Sequence, residues 1–531
     1  MSASWWRGAT IYQIYVRSFA DANGDGVGDF AGLISRLDYV AALGVDAIWL
    51  SPIHPSPNRD WGYDVSDYDS VNPEYGSEAE FDRLIDEAHA RGLRVLTDEV
   101  LAHTSDEHPW FRASLEGGEK ADWYVWAPPR EDGTAPNNWL SAFGGPAWSY
   151  HPARRQYYHH KFLRQQPKLN WCNPLAREAA LEVLDRWLAS GVDGFRLDVA
   201  NAFLHDPSLA DNEAVPESER DPWNWAHAPN LQLHCHDSNL PANLAVLNEI
   251  RRRVERYEDR FVMGEFSEEP EHCGGFASPA AGLHSGYSFP FLEAHRLDPS
   301  FIRKHYENLA CHPDHWPSVA FSNHDVVRTV TRFGGKDAPP ALARLLLALL
   351  FSLRGTVLLY QGEELGLPEA ELRRDQLKDP VGDLYYPLSR GRDGCRTPMP
   401  WDADSPNYGF STGTPWLPPS PSHRELAVSV QEADAHSTLS YARTFLRARR
   451  ESTALRLGQI NFLDAPPPIL AFLRTYENER LLCVFNMSGA DAIFRHPLIS
   501  SAIPLAIGTA PVRVTDDELT ASPYTAWFAS V

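Results

Sequence analysis

The chain has little positive charge, few cysteines and no long apolar run. Its 531 residues contain 48 Lys and Arg against 71 Asp and Glu, a net charge of −23. Such a surface repels phosphate backbones and anionic lipids, so we expect no nucleic-acid partner and no membrane surface as partner. The longest apolar stretch, near 341–353, carries Arg344 and is too short to span a bilayer.

The cysteines are scattered without paired spacing, which argues against a disulfide framework or a cysteine metal site. They are Cys172, Cys235, Cys273, Cys311, Cys395 and Cys483. The segment from Met1 to Gly8 has no basic region followed by an apolar one, so no signal peptide is visible. We therefore predict a cytoplasmic protein, with the periplasm as the alternative if a leader was removed.

Short apolar runs alternate with amphipathic segments along most of the chain, which predicts a parallel barrel rather than an antiparallel sandwich. The predicted strands are Thr10–Val16, Asp46–Pro52, Arg94–Val100, Gly194–Val199, Phe261–Phe266, Gly286–Phe289, Ser318–His324 and Thr356–Gln361. Amphipathic segments such as Phe30–Leu43, Ser77–Arg91 and Leu175–Ser190 carry apolar residues at helical spacing. The predicted fold class is a (β/α)8 TIM barrel.

The connections between these runs are unequal, and the long ones predict further units. A Pro-, Gly- and Trp-rich stretch after the third strand predicts a small inserted domain, because a connection of that length needs structure of its own. Alternating short strands near the end predict a C-terminal antiparallel β-domain. The predicted boundaries are 1–103 and 172–458 for the barrel, 104–171 for the insert and 459–531 for the β-domain, with insert loops 205–243 and 367–421.

Three of the apolar runs end on an acid: Asp198, Glu265 and Asp325. The C-terminal ends of barrel strands converge on one face, so these acids should meet there. Two carboxylic acids with a third helper are the equipment of a glycoside hydrolase. Any one of the acids taken alone would more simply be a structural ion pair, but three at corresponding strand ends favour catalysis.

The residues around the first two acids suggest different protonation states. Arg196 stands two positions before Asp198, so both side chains point to the same side of the strand and the guanidinium should keep Asp198 ionised. Glu265 follows Gly264 in an apolar run, and partial burial raises the pKa of a carboxylic acid toward use as a general acid.

These segments resemble the α-amylase superfamily (glycoside hydrolase family 13), in the branch of α-glucosidases and oligo-1,6-glucosidases. The matching motifs span nearly the whole chain: Trp5-Trp6-Arg7, Ile11–Tyr15, Gly62-Tyr63-Asp64, Asp98 to His103, Gly194–Asp198, Gly264-Glu265, Asn323-His324-Asp325 and Arg396–Trp401. The resemblance implies Asp198 as nucleophile, Glu265 as acid/base and Asp325 as the acid that binds sugar hydroxyls. It implies no organic cofactor.

The resemblance also implies a glucose subsite. Arg196, His103 and His324 would line it, Tyr63 would stack beneath the sugar ring and Phe162 would close its side. Asp60 and Arg396 match a pair that closes the far end of the pocket in this branch, which would restrict the enzyme to removing terminal glucose. An ordinary surface charge is the alternative for each of these two residues.

The segment from Asp21 to Asp29 places oxygen donors at alternate positions with glycines between them, as a hard cation requires. Its twelfth position is Gly32 rather than Glu, so no EF-hand is implied. The resemblance implies structural Ca²⁺, with Mg²⁺ as the alternative ion, and a metal-free polar turn remains the competing interpretation. Its implied ligands are Asp21, Asn23, Asp25, Asp29 and the carbonyl of Val27.

The sequence departs from the family pattern at several positions. Ala102 replaces the usual Asn before the active-site His, and Lys168 replaces the Asp of a Gln-Pro-Asp-Leu-Asn motif. Val199, which follows the nucleophile, is the type usual in α-1,6-acting relatives and would narrow the +1 side. The surrounding segments instead resemble proteobacterial α-glucosidases that prefer short α-1,4 substrates and transfer glucose.

We therefore predict an exo-acting retaining α-glucosidase for short oligosaccharides such as maltose, isomaltose or sucrose, with some transglucosylation and a monomeric or homodimeric state. An oligo-1,6-glucosidase or a sucrose-isomerising relative is the first alternative. A non-catalytic relative that kept the barrel is the alternative of another class, and the presence of Asp198, Glu265 and Asp325 weighs against it.

Overall fold

The computed structural model describes residues 4–220, 228–267, 275–278, 280–309, 312 and 314–531. The loop prediction for 205–243 falls partly on 221–227, which lie outside the described residues, as do Cys273 and Cys311.

Eight parallel strands form the central sheet in the order β7-β8-β1-β2-β3-β4-β5-β6. The Ser285 and Ser318 hydroxyls lie 2.8 Å apart and join β6 to β7, the two ends of that order. All the predicted strands are present, and the (β/α)8 barrel is confirmed. The strands are β1 (Thr10–Ile14), β2 (Ala47–Leu50), β3 (Arg94–Glu99), β4 (Gly194–Leu197), β5 (Phe261–Phe266), β6 (Ser285–Ser288), β7 (Ser318–Ala320) and β8 (Thr356–Tyr360).

Strand register already brings polar side chains together. Asp98 on β3 lies opposite Arg196 on β4, and Glu265 on β5 lies opposite Tyr287 on β6. These side chains are buried, although most barrel positions around them are apolar. A buried charge is stable only with a partner, so this register predicts a polar network inside one end of the barrel.

The helices follow the predicted amphipathic pattern. Glu78–Ala90 starts at a capping box formed by Ser77 and Glu80, and Pro174–Ala189 starts at Asn173, whose side chain accepts two backbone N–H groups. The predicted helix Phe30–Leu43 is two helices, Phe30–Ser35 and Leu37–Leu43, separated at Arg36. The longer remaining helices are Pro109–Glu116, Asn243–Val254, Pro299–Leu309, Pro340–Ser352 and Thr438–Glu451.

Shorter helices occupy the connections around the barrel. They are Pro290–Glu293, Thr329–Gly334, Pro380–Tyr385, Val428–Glu432 and Thr453–Leu457. Among the described residues, none of the helices combines the length and apolar character needed to cross a bilayer.

Antiparallel sheets lie in the insert after β3 and at the end of the chain. The insert carries a sheet of Trp126–Ala127, Trp148–His151 and Gln156–His159. The C-terminal region carries a five-stranded sheet of Gln459–Phe462, Ile469–Tyr476, Glu479–Asn486, Thr525–Ser530 and Ile503–Pro504. A smaller sheet of Ala492–Arg495, Glu518–Ala521 and Arg513–Thr515 accompanies it.

Candidate active site

Arg196 is the centre of the polar network at the C-terminal end of the barrel. Its Nη1 donates to Asp98 and to Asp198, both at 2.8 Å, and its Nη2 forms an ion pair with Glu265. The guanidinium is fully buried. Because Asp198 and Glu265 contact neighbouring nitrogens of one guanidinium, the two predicted catalytic carboxylates lie side by side at the ends of β4 and β5.

Glu265 is also held by its surroundings. The Tyr287 hydroxyl donates to Glu265 Oε1 at 3.1 Å, and the backbone N–H of Val199 donates to Oε2 at 3.2 Å. Val199 has a positive φ of 46°, which is strained for a β-branched residue. The residue that the sequence singled out for substrate preference therefore also contacts the predicted acid/base.

One guanidinium, that of Arg196, faces three buried carboxyl groups in this network, so their negative charges are not fully compensated. Burial raises the pKa of Glu265 to about 7, although Arg196 favours its charged form. Burial likewise raises the pKa of Asp198 to about 7 against the same opposing guanidinium. We expected Arg196 to keep Asp198 ionised, but Arg196 is shared with Asp98 and Glu265 and so stabilises each charge less. The buried acids therefore titrate as a coupled group near neutral pH.

Asp325 has a different environment from the other two predicted catalytic acids. Burial alone would raise its pKa, but His324, Arg392 and Arg396 outweigh burial and lower it. Arg396 Nη2 donates to Asp325 Oδ1 at 2.8 Å, and Arg392 Nη1 donates to the same oxygen at 3.1 Å. Asp325 is thus the carboxylate that stays ionised, as a group that accepts hydrogen bonds from sugar hydroxyls would.

The predicted Asp60–Arg396 pair is corrected by the structure. Asp60 Oδ1 accepts from Arg392 Nη2 at 2.6 Å, whereas Arg396 is held by the carbonyl of His324 at 2.7 Å and by Asp325. These bonds hold the buried Arg396 guanidinium beside Asp325. Arg392 also contacts Asp379 at 2.7 Å, so this arginine joins three carboxylates at the pocket end.

The remaining predicted residues lie beside the same polar network. The Tyr63 ring stacks on His324 with centroids 5.1 Å apart, and its hydroxyl donates to Asp98 at 2.9 Å. His103 lies beside Phe162, 5.4 Å between ring centroids, and its Nε2 is 2.9 Å from the Tyr63 carbonyl. Burial lowers the pKa of His103 to about 4, so it is neutral at pH 7.

Several pocket residues were not selected from the sequence: Asp98, Gln166, Tyr287 and Arg392. Gln166 Nε2 donates to Asp60 at 3.0 Å and lies 3.2 Å from His103 Nε2, which links the insert to the pocket. Asp98 stands inside the predicted third strand and Tyr287 inside the sixth, so their positions facing the barrel interior were a usable signal. Arg392 and Arg396 lie four residues apart, and the resemblance selected Arg396 as the partner of Asp60. Nothing in the sequence indicated that Arg392 would take that place.

The predicted metal loop is a tightly hydrogen-bonded turn. The N–H groups of Gly24 and Gly26 each donate to the Asp21 carboxylate at 2.7 Å. Asp29 accepts from the N–H groups of Ala22 and Asn23. Within the parts of the chain that the structure describes, no cluster of three or more His, Cys, Asp or Glu is arranged to hold a metal. The all-oxygen donor set nevertheless fits a hard cation in its chemistry, and calcium stays a prediction.

Comparison with known proteins assigns the chain to a family. The family model described as "Alpha amylase, catalytic domain" matches residues 13–458. The chain belongs to the α-amylase family. The match runs through the barrel strands β2 to β8 and includes Asp198, Glu265 and Asp325, so the family assignment and the polar network concern the same part of the molecule.

Relatives and solved structures agree with this assignment. The chain is 49% identical over 506 residues to a "Probable alpha-glucosidase" of Rhizobium meliloti (strain 1021), covering 93% of this chain and 91% of the relative. It is 36% identical to an oligo-1,6-glucosidase of Parageobacillus thermoglucosidasius, covering 94% and 93%.

A crystal structure of the α-glucosyl transfer enzyme XgtA superposes with a TM-score of 0.97 at 46% identity and covers 100% of both chains. The trehalulose synthase MutB from Pseudomonas mesoacidophila MX-45 superposes at 0.89 with 32% identity, again over 100% of both chains. Proteins named as an α-glucosidase, an α-glucosyl transfer enzyme and a trehalulose synthase are therefore all similar to this chain, so the family alone does not decide among these activities.

Proposed function

We propose that this glycoside hydrolase is an exo-acting retaining α-glucosidase for short oligosaccharides. The observation that carries the proposal is the shared contact of Asp198 and Glu265 with Arg196, which places two carboxylates side by side, as a retaining glycosidase requires. Relatives named as α-glucosidase and oligo-1,6-glucosidase over more than nine-tenths of the chain support it.

In the proposed reaction, the Asp198 carboxylate attacks the anomeric carbon of the terminal glucose. Glu265 gives its proton to the departing glycosidic oxygen, which leaves a covalent glucosyl ester on Asp198 and a Glu265 carboxylate. That carboxylate then takes a proton from water as the water attacks the same carbon, releasing α-glucose and restoring both groups. The raised pKa of Glu265, about 7, supports its part as the proton donor.

The Asp60–Arg392 ion pair supports exo action. The side chains of Asp60 and Arg392 are 5% and 13% exposed, and Arg392 also contacts Asp325, so charged side chains occupy the space beside the third acid. A sugar chain that continued past the terminal glucose would have to break this pair. The proposed enzyme therefore removes glucose from the non-reducing end.

The proposal extends to the glycosidic linkage that the enzyme prefers and to its transfer of glucose to other sugars. We favour a general α-glucosidase with some transglucosylation, since the α-glucosyl transfer enzyme XgtA shares 46% identity over the whole chain. The specific rival is an oligo-1,6-glucosidase or a sucrose-isomerising enzyme, because Val199 is apolar and lies beside Glu265. Relative kcat/KM on maltose, isomaltose and sucrose, with analysis of the products, separates these activities.

We further infer a structural Ca²⁺, or Mg²⁺, at the loop from Asp21 to Asp29. The side chains of Asp21, Asn23, Asp25 and Asp29 and the carbonyl of Val27 would hold it. The ion would stiffen a loop that already has its own hydrogen bonds, and it would take no part in the reaction.

A cytoplasmic location is also a proposal. The four described cysteines, Cys172, Cys235, Cys395 and Cys483, are free thiols, as a reducing compartment would keep them. Cell fractionation tests this inference, and recovery of the protein in the periplasm would contradict it. The prediction of a monomer or homodimer is to be tested by light scattering.

Replacing the nucleophile tests the central proposal. Asp198→Ala should lose activity on an aryl α-glucoside by at least the ~10³-fold expected when a covalent catalyst is removed. Asp46→Ala is a suitable control because Asp46 is an acid at the opposite, N-terminal end of β2. An Asp198→Ala variant as active as the wild type would end the assignment of Asp198 and the proposed reaction with it.

A further inference from the structure

We propose that Lys168 is a positioning residue for Glu265, acting through the backbone turn that follows Asp198. The inference rests on the proposed function, because it concerns how the proton donor is aimed. Lys168 lies in the insert after β3, at the place where the family motif carries an acid.

Lys168 is almost completely buried, with 2% of its surface exposed. Two hydrogen bonds fix its backbone within the insert. The Lys168 N–H donates to the His159 carbonyl at 2.9 Å, and the Lys168 carbonyl accepts from the Val125 N–H at 3.2 Å. Its ammonium donates to the backbone carbonyl of Ala202. Within the described residues, this carbonyl is the single hydrogen-bond acceptor of the ammonium.

The ionisable groups that face Lys168 come from three parts of the chain. Lys161, His159 and Cys172 belong to the insert and the residues directly after it. His103 lies just after β3 and pairs with Lys168 through the backbone, and His205 and Asp237 belong to the loop after β4. Asp237 already has partners, because it accepts from Lys161 at 3.3 Å and from Asn212 at 3.2 Å. Burial lowers the pKa of Lys168 to about 7, so burying this group is costly.

The Ala202 carbonyl belongs to a turn that contacts Glu265 directly. Ala202 N–H donates to the Val199 carbonyl at 3.0 Å, and Val199 N–H donates to the Glu265 carboxylate at 3.2 Å. Ala200 N–H donates to the Glu265 carbonyl at 2.9 Å. The turn therefore holds both the side chain and the backbone of the proton donor.

The same turn is strained and needs support from outside. Val199 has φ of 46°, a conformation that a β-branched residue adopts only where neighbours enforce it. Lys168 supplies such a restraint from the insert, because its ammonium fixes the carbonyl at the far end of the turn. Arg196 binds both Asp198 and Glu265, but within the described residues Glu265 is the one of these two carboxylates that also accepts a hydrogen bond from the turn, through Val199 N–H. Loss of the Lys168 ammonium should therefore displace Glu265 more than Asp198.

This difference predicts a specific kinetic signature. A displaced proton donor slows cleavage of substrates whose leaving group needs a proton, such as maltose, and spares a 2,4-dinitrophenyl α-glucoside, whose leaving group does not. Since a small misplacement costs up to about 100-fold in rate, Lys168→Met should lower kcat/KM for maltose by about 10- to 100-fold. The value for the dinitrophenyl substrate should change less than about threefold, because kcat/KM reports only the first, glucosyl-forming step.

Lys161→Met is the matched control. Lys161 is another largely buried lysine of the insert, and its ammonium bonds Asp237 and Ser238 rather than the turn after Asp198. Lys161→Met should alter the stability of the protein, and any change in kcat/KM should be the same for maltose and for the dinitrophenyl substrate. Lys168→Gln keeps an N–H donor, so it should fold where Lys168→Met does not and should restore part of the maltose activity.

Equal losses on both substrates in Lys168→Met or Lys168→Gln would overturn the proposal and leave Lys168 a merely structural residue. An equal leaving-group dependence in Lys161→Met would overturn it as well. Failure of the proposed function looks different, because the wild-type protein would then cleave neither substrate. The pH profile gives a second readout: the alkaline limb of kcat/KM, set by Glu265, should shift in the Lys168 variants and stay fixed in Lys161→Met.

Discussion

Replacing Arg196 with methionine should damage both stability and activity, and in a way that depends on pH. The side chains of Arg196 and Asp98 are fully buried, and Asp198 and Glu265 expose only 8% and 7% of theirs. Removing one partner from a buried charge network costs roughly 3–5 kcal/mol, because the carboxylates lose their compensating charge. If about 3 kcal/mol of this loss also raises the free energy of the transition state relative to free enzyme and substrate, kcat/KM falls by more than about 100-fold.

The pH dependence follows from the sign of the pKa shifts. The pKa values of Asp98, Asp198 and Glu265 are already raised to about 7, and removing Arg196 raises them further. The folded variant then binds more protons than the unfolded chain at neutral pH, so its stability falls as pH rises through the interval above the unfolded pKa of the acids. We expect Arg196→Met to be more strongly destabilised at pH 8 than at pH 5.

Urea denaturation of the wild type and Arg196→Met at the two pH values measures this difference, with kcat/KM on an aryl α-glucoside beside it. Arg449→Met is the control, because Arg449 is equally buried but, among the described residues, bonds backbone carbonyls rather than carboxylates: those of Phe351, Leu455, Gly8 and Gly355. It should lose stability without a comparable pH effect and keep its activity. An Arg196→Met variant with wild-type activity, or with equal destabilisation at both pH values, would refute the reasoning.

The remaining predictions concern pH, linkage and the metal loop. The plot of kcat/KM against pH should be a narrow bell centred near neutral pH. Asp198 must be ionised and Glu265 protonated, and burial raises the pKa of each to about 7. A kcat/KM that stays constant up to pH 9 would contradict this. Val199→Thr should raise the ratio of kcat/KM for maltose over isomaltose, and an unchanged ratio would retire Val199 as the determinant of linkage. Removing bound metal with EDTA should lower the Tm, and added Ca²⁺ should restore the Tm in the wild type but not in Asp21→Ala. If EDTA leaves the Tm unchanged and elemental analysis finds no bound metal, the loop is a metal-free turn.

The barrel was predictable because its signals are local and repeated. Each strand is a short apolar run bounded by a helix pattern, and a parallel sheet buries such runs on both faces. The acids at the ends of β4 and β5 could be assigned to one face by topology alone, and the contact of Arg196 with Asp198 followed from their spacing on one strand.

Contacts between distant loops were not predictable in the same way. Asp60 pairs with Arg392 rather than Arg396, whereas the His324 carbonyl and Asp325 hold the Arg396 guanidinium. The sharing of Arg196 among several acids also lies beyond a sequence pattern, because it depends on burial and on the register of β3 with β4. Lys168 was visible as a departure from the motif, but its contact with Ala202 depends on how the insert packs against the turn after Asp198.

The most direct test of the account is to trap the intermediate. Incubation with 5-fluoro-α-D-glucosyl fluoride, followed by proteolysis and mass spectrometry, should show one fluoroglucosyl group on the peptide that contains Asp198. NMR should show α-glucose as the first product from an aryl α-glucoside. A label on a peptide without Asp198, or β-glucose as the first product, would contradict the account.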